Sequence, residues 1–400
     1  MAAAQTPRPH GTCRRAVVLV IDACGVGALP DAAAYGDEGT NTLAHVADAV
    51  GGLQLPVLGA LGLGSITPVR GVAPSDSPAI HGRLHPLGPG KDSIAGHWEL
   101  MGVVMGAALP TYPEGFPGEL LERLEGALGH ALICNRADDG LSAIAQFGEE
   151  HMRSGALILY TSQDSVLQLA AHVERVPPPE LYRACERARA TMAREHAVGR
   201  VIARPFTGAA GSFERTDGRR DYALAPPSRS YLDALRERGA SVHAVGKIAD
   251  LFAGVGIDEA HAGATNELAL AQTERLLCEL DAGLVFVNLI ETDQRYGHRK
   301  DASGFARALG GIDAAVGRML AAMHDDDLLV VTADHGVDPA HPGTDHTREH
   351  APLLAATPAL LAARGGGARH DGPLADVGAS ALAWLTGASE PDLPGSPFIS

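Results

Sequence analysis

The sequence predicts an α/β protein: a largely parallel sheet flanked by helices, interrupted by a smaller inserted α/β module. Three observations carry this. From Ser228 onward, apolar runs at Val242–Val245, Gly283–Leu289 and Asp327–Val331 alternate with helical stretches, one of them over Ala302–His324; steady alternation of this kind builds a parallel sheet with helices on both faces. A further apolar run, Ala16–Ile21, lies at the opposite end of the chain. Acidic and imidazole side chains recur just beyond these runs, and the runs that carry them flank the middle of the chain, which therefore reads as an insertion.

Taken in order, the first dozen residues are rich in Ala, Pro, Gln and Thr, and residues 1–14 are expected to be a disordered extension. A buried strand then ends at Asp22 and a Gly-rich turn follows. Asn41–Val50 reads as a helix. Gly82–Gly90 carries Gly and Pro, a loop signal, and leads into Lys91-Asp92-Ser93. Pro110, Pro113, Gly115 and Pro117 mark a break. Beyond it come a helix (Glu119–Leu128), a strand (Ala131–Cys134), a helix (Ser142–Glu149), a strand (Ala156–Tyr160), a helix (Pro179–Glu195) and a strand (Gly199–Ala203). Pro205, several Gly and Pro226-Pro227 mark the second break. The expected division is a core of residues 15–107 and 226–400 with an insertion over 108–225.

At 400 residues, 46% apolar and 20% charged, the chain can bury a large core. Its net charge of −16 argues against general nucleic-acid binding, because a phosphate backbone would be repelled. An anionic substrate needs a local positive site. Cys13, Cys24, Cys134, Cys185 and Cys278 are widely spaced and form no CxxC pair, which fits reduced thiols. Arg14-Arg15 before Ala16–Ile21 imitates a signal peptide, but the run is short and Asp22 ends it. No stretch is long and apolar enough to span a bilayer. A cytoplasmic protein with no membrane, nucleic-acid or obligate protein partner is expected.

The chemistry concentrates in Asp22, Asp293, His298, Asp334, His335 and His346. Strand ends on one edge of a parallel sheet converge in space. One strand-end Asp is ordinarily a helix cap and one His an ordinary polar residue; six, including the adjacent Asp334-His335 before Gly336, fit two divalent ions on mixed oxygen and imidazole ligands. Two close metals can stabilise both the attacking and leaving oxygens in phosphoryl transfer. Ser93 has two readings. It could cap a helix beginning near Ile94. It could also be a nucleophile activated by a metal and placed at a helix N-terminus that favours phosphate; this depends on its lying near the metals. Two other motifs fail. Gly25-Val26-Gly27-Ala28-Leu29-Pro30 has Pro at the last glycine of the dinucleotide fingerprint, and Gly90-Lys91-Asp92-Ser93 lacks the spacing of a P-loop.

Longer motifs carry a resemblance. Val20-Ile21-Asp22 with Gly25-Val26-Gly27, Gly36-Asp37-Glu38-Gly39-Thr40-Asn41-Thr42-Leu43, Lys91-Asp92-Ser93 with Gly96-His97-Trp98-Glu99, Gly246-Lys247-Ile248 and Asp345-His346-Thr347-Arg348-Glu349 resemble the phosphopentomutases. The likeness runs nearly the length of the chain. It implies an alkaline-phosphatase-like core with a smaller cap domain and two Mn²⁺ ions, Zn²⁺ or Co²⁺ being alternatives. By the same resemblance Asp22, Asp334, His335 and the Ser93 oxygen hold one metal, and Asp293, His298 and His346 the other. Ser162, Asp164, Val166, Arg200, Ile202 and Lys247 would line the sugar-phosphate site. The implied substrate is a pentose phosphate and the implied primer a sugar bisphosphate. Ser93 stands where Thr is usual, Glu291-Thr292 where Asp-Phe is usual, and Val337 where Asn is common. A metal-dependent phosphomonoesterase and a phosphoglycerate-type mutase share the metal ligands and remain open here.

Overall fold

The computed structural model describes residues 14–162, 165–363 and 367–400. Almost all of the expected disordered extension therefore lies outside the described residues. The strands, in chain order, are β1 (Arg15–Ile21), β2 (Ile80–His85), β3 (Leu132–Ala137), β4 (Leu157–Thr161), β5 (Val166–His172), β6 (Arg200–Thr207), β7 (Glu214–Arg215), β8 (Arg220–Ala223), β9 (Val242–Val245), β10 (Glu259–His261), β11 (Gly283–Leu289), β12 (Asp327–Thr332), β13 (Ala351–Ala356) and β14 (Gly372–Pro373). The chain divides into two compact units: residues up to Ala108 with Pro226–Ser400, and Leu109–Ala225.

The first unit holds an eight-stranded sheet in the order β10-β9-β11-β1-β12-β13-β2-β14. Its centre is parallel, and only β13 runs antiparallel to its neighbours. β1, β11 and β12 are buried along their whole length, as strands covered on both faces must be. Their register decides where the chemistry goes. Arg15 lies opposite both Gly283 and Asp327, Ile21 opposite Leu289, and Val20 opposite Thr332. The three strands therefore end level with one another, and the residues that follow leave from one edge of the sheet.

The opposite ends of β1 and β12 are tied by charge. Arg15 and Asp327, 1% and 2% exposed, form a buried ion pair, with Arg15 Nε donating to Asp327 Oδ1 at 2.8 Å. Asp327 also accepts from the His324 backbone N–H at 2.7 Å.

The second unit is a six-stranded mixed sheet, β3-β4-β5-β6-β7 with β8 also on β6. On one face the Gly118–Leu128 and Pro178–Thr191 helices bury Leu120, Leu124, Leu181 and Cys185. On the other the Gly140–Ser154 helix packs Ala143 and Ile144 against Ile158 and Phe206.

The fold class matches the sequence expectation, and several elements differ from it. Gly82 begins no loop: it lies inside β2, where a Cβ would fall onto the His370 carbonyl. Pro205 does not end its strand. β6 continues to Thr207, and the Pro205 carbonyl accepts from Thr216 N–H and Oγ1. β5 and β13 were not foreseen; each is short and buried throughout, so neither shows the alternation that marks a half-buried strand.

Because Asp327 neutralises a guanidinium with no access to water, Asp327→Ala should lower unfolding free energy by about 3–5 kcal/mol. Urea unfolding measures it; a loss under about 1 kcal/mol, typical of surface pairs, would contradict the pinning role.

Candidate active site

Each of the three level strands ends in a different turn. β1 passes into Asp22 and then Ala23, whose φ of 63° is left-handed and turns the chain sharply. The Ala23 N–H then donates to Asp334 Oδ1 at 3.1 Å, joining the first turn to that after β12. β11 leads into a wide π-helical turn, Thr292–Gly297, closed by His298 N–H donating to Asp293 O at 3.2 Å. This ring brings Asp293 and His298 together; in an α-helix residues five apart would point about 140° apart.

The side chains converge. Asp22, Asp334 and His335 form one buried group whose donor atoms lie within 4.8 Å of one another; Asp293, His335 and His346 form another. His335 is shared. Its Nε2 lies 3.5 Å from Asp22 Oδ1 and 3.2 Å from Asp334 Oδ2. Asp293 Oδ1 lies 3.3 Å from His298 Nε2 and 3.5 Å from His346 Nε2. All six predicted ligands are thus at one sheet edge.

Ser93 joins them. Its Oγ lies 3.4 Å from Asp22 Oδ1 and 3.1 Å from His335 Nε2. The capping reading of Ser93 does not hold: Asp92 is the N-cap of the Ser93–Leu100 helix, its carboxylate accepting from the Ile94 and Ala95 N–H groups. Those two N–H groups are therefore engaged by Asp92 and not open to a phosphate.

Several residues of the site were not singled out from the sequence. Asn288, buried in β11, donates from Nδ2 to Asp22 Oδ2 at 2.8 Å and lies 3.1 Å from His97 Nε2. His97, one helical turn after Ser93, directs Nδ1 to the Ser93 carbonyl at 2.8 Å and lies 3.1 Å from Asp334 Oδ2. These contacts assign the proton of His97 to Nδ1. Glu349 accepts from Gly27 N–H, Thr42 N–H, Thr42 Oγ1 and Thr347 Oγ1, holding the strand that follows His346. The signal for Asn288 was a lone amide in an apolar run, and for His97 its spacing from Ser93. Gly336 follows the Asp334-His335 pair. Its φ is ordinary, and what requires glycine is the Glu349 carboxylate lying where a Cβ would be. Gly96 has a similar reason: a Cβ there would meet the Asp334 backbone.

The electrostatics fit cations. Burial, then Asp334 and Asp293, raises Asp22 well above the usual carboxylate range. Burial opposes charge on His335, yet Asp334, Asp22 and Asp293 push it up to about 10. Against its own burial, Asp334 is held well below the usual range by His335 and His97. Asp293 Oδ1 and Asp334 Oδ2 are buried and accept no well-directed hydrogen bond. His335 and His298 commit Nδ1 to the Gly336 and Thr344 carbonyls, at 3.2 and 2.6 Å, leaving both Nε2 atoms facing the carboxylates. Orphaned carboxylate oxygens and imidazoles with the outer nitrogen fixed are what divalent metals require. Cys24 takes no part: burial, with Glu349 and Asp334 adding, pushes its thiol to about 12.

The unusual residues lie off this cluster. Thr292 Oγ1 donates to the Leu289 carbonyl at 3.0 Å, Glu291 accepts from Asn266 N–H at 2.8 Å, and Val337 is buried. Of the other predicted residues, Val166 and Arg200 face each other across β5 and β6, and Ile202 follows opposite Gln168. Val166 and Ile202 are buried, Ser162 and Arg200 half-buried. Arg200 and Arg204 share a basic region with Arg219 around Asp221, whose carboxyl is held low by them against its burial. Asp164 lies outside the described residues. Lys247, in the first unit, is half-buried just beyond β9.

Comparison with known proteins defines the class. Residues 14–387 match the model of the metalloenzyme superfamily, and the chain belongs to it. The chain is 46% identical over 369 residues to a phosphopentomutase of Caldanaerobacter subterraneus subsp. tengcongensis, covering 92% of this chain and 93% of that one. It is 48% identical over 392 residues to a phosphopentomutase of Anaeromyxobacter dehalogenans, covering 93% and 99%. It is a member of the phosphopentomutase family of isomerases. A solved structure of a Pyrococcus horikoshii protein shares the fold at 14% identity, with a TM-score of 0.50 over 94% of this chain and 98% of that one. No helix among the described residues is long and apolar enough to cross a membrane.

Because His335 holds a proton up to about 10 without metal, a cation must displace it, so metal affinity should rise with pH across the neutral range. Calorimetric titration in buffers of different ionisation enthalpy should detect about one proton released as this site fills. Binding without proton release would contradict the assignment.

Proposed function

We propose that the chain interconverts ribose 1-phosphate and ribose 5-phosphate, and the 2-deoxyribose pair, through a phosphate carried on Ser93 and a sugar bisphosphate intermediate. The observation that carries this reading is the Ser93 Oγ within 3.1 Å of His335 and 3.4 Å of Asp22, among buried carboxylates in need of counter-charge. Asp22, Asp334, His335 and Ser93 would hold one Mn²⁺ ion, and Asp293, His298 and His346 a second. Bound there, the ions would supply charge neutralisation for the transferring phosphoryl group and lower the pKa of the Ser93 hydroxyl.

The phosphoryl group on Ser93 passes to the free hydroxyl of the sugar monophosphate; the Ser93 Oγ–P bond breaks as the sugar O–P bond forms. The bisphosphate reorients and returns its other phosphoryl group to Ser93 Oγ. His97 holds the Ser93 backbone in place, its Nδ1–H donating to the Ser93 carbonyl. Asn288 keeps Asp22 oriented. We assign phosphate recognition to Arg200, whose planar guanidinium suits bidentate contact, with Ser162, Asp164 and Lys247 binding sugar and phosphate oxygens. Val166 and Ile202 are buried side chains, so their part is backbone placement. The second unit is assigned the role of substrate-binding domain, and the protein works in the cytoplasm.

Phosphorus NMR of the Mn²⁺-loaded protein with ribose 5-phosphate and a trace of bisphosphate tests the reaction. Ribose 1-phosphate without free phosphate is expected; free phosphate alone would make the chain a phosphomonoesterase. Ser93→Ala should abolish exchange while keeping the metals, and retained mutase turnover would overturn the phosphoserine. Arg200→Ala should raise KM by roughly 10- to 100-fold, the worth of a charge-assisted hydrogen bond, with a smaller change in kcat. An unchanged KM would remove Arg200 from the substrate site.

A further inference from the structure

A second set of imidazole and carboxylate groups, which shares no residue with the six-ligand cluster, lies at the edge of the first unit's sheet. His243 is on β9, and Glu259 and His261 are on β10, the edge strand. β9 and β10 are parallel with Glu259 opposite His243, so these two side chains leave the sheet on the same face. His261, two residues after Glu259, leaves on that face as well. The geometry follows from this register. His243 Nδ1 and His261 Nε2 are 3.0 Å apart, with the rings stacked at 5.3 Å and 22°. Glu259 Oε2 lies 3.7 Å from His243 Nδ1. On the outer side of His261, Nδ1 lies 3.2 Å from the Gln272 amide of the Asn266–Glu279 helix and 3.8 Å from Glu259 Oε1.

A hydrogen bond between the two rings would satisfy one nitrogen of each and explain the pair alone. It does not explain a carboxylate on the same side. Two nitrogens on one tetrahedral zinc, each at about 2.0–2.1 Å, are roughly 3.3 Å apart, close to the spacing here. The His243 ring is buried, and its Nδ1 faces His261 and Glu259. The atom nearest His261 Nδ1 is Gln272 Nε2, itself a donor; with the amide turned over, its oxygen would accept from Nδ1–H and leave His261 Nε2 for the metal.

We propose that His243 Nδ1, His261 Nε2 and a Glu259 carboxylate oxygen bind a divalent ion of the zinc class, water completing the shell on the exposed Glu259 side. Two imidazoles and one carboxylate favour zinc, nickel or copper over magnesium or calcium. The site fastens the three-residue edge strand β10 to β9, which backbone hydrogen bonds alone hold only briefly along its length.

The test compares the full chain with His243→Val/His261→Val and with Glu259→Ala, each stripped of metal and then equilibrated with Zn²⁺. The six-ligand cluster is present in all three, so any difference belongs to this edge. The double variant should bind one zinc fewer per chain by mass spectrometry of the metal, with its Mn²⁺-supported turnover unchanged. Glu259 is exposed, so Glu259→Ala folds even where the double variant does not. Chelator competition should show its weakest zinc loosened by roughly tenfold or more. An equal zinc count in a folded double variant, or a Glu259→Ala competition curve superimposable on that of the unaltered chain, would overturn the site.

Discussion

Three carboxylates, Asp22, Asp293 and Asp334, are buried within reach of the same imidazole, His335, and their mutual repulsion is the constraint on which the rest of the first unit depends. Charges withdrawn from water cost several kcal/mol each unless compensated. Without cations the compensation is a proton: His335 is driven to about 10, and Asp22 is raised by burial and by its neighbours. With cations the compensation is metal, and the proton leaves. The same groups therefore define a site whose affinity and protonation are linked. Close approach follows from this. Gly96 and Gly336 lack side chains because the Asp334 backbone and the Glu349 carboxylate occupy the space a Cβ would take.

The register of three parallel strands creates this crowding, and that part was legible in the sequence. Asp22, Asp293 and Asp334 follow apolar runs buried along their length, and strands buried on both faces carry no alternation to confuse their ends. The turn chemistry was not legible. Nothing in Thr292–Gly297 announces a π-helical ring, although that ring makes Asp293 and His298 neighbours. Capping was one of two readings open for Ser93, because Asp92 and Ser93 are both good caps; with Asp92 as the cap, the Ser93 hydroxyl is free to face Asp22 and His335. Asn288 and His97 act through hydrogen bonds that join separate elements, and their local signals, a lone amide in an apolar run and a spacing of four from Ser93, do not say which partners they meet.

The chain carries a formal charge of −16, yet the reaction of its family concerns anions. The opposing positive charge is local in each unit. In the first the buried carboxylates call for counter-charge; in the second Arg200, Arg204 and Arg219 gather around Asp221. The Ser93 hydroxyl lies between Asp22 and His335 at the start of a helix capped by Asp92, and His97 holds the Ser93 carbonyl. Thr292 and Glu291 are absorbed into turn and helix-end hydrogen bonds, so the ligand set does not depend on them.

The central claim is that Ser93 carries the phosphate. It is tested most directly by incubating the Mn²⁺-loaded protein with a sugar bisphosphate, quenching in acid and sequencing the proteolytic peptides by mass spectrometry. The account predicts one phosphorylated serine, Ser93, with the label lost on addition of excess pentose monophosphate. Phosphate on another residue, or an unmodified Ser93 in protein that is turning over, would contradict it.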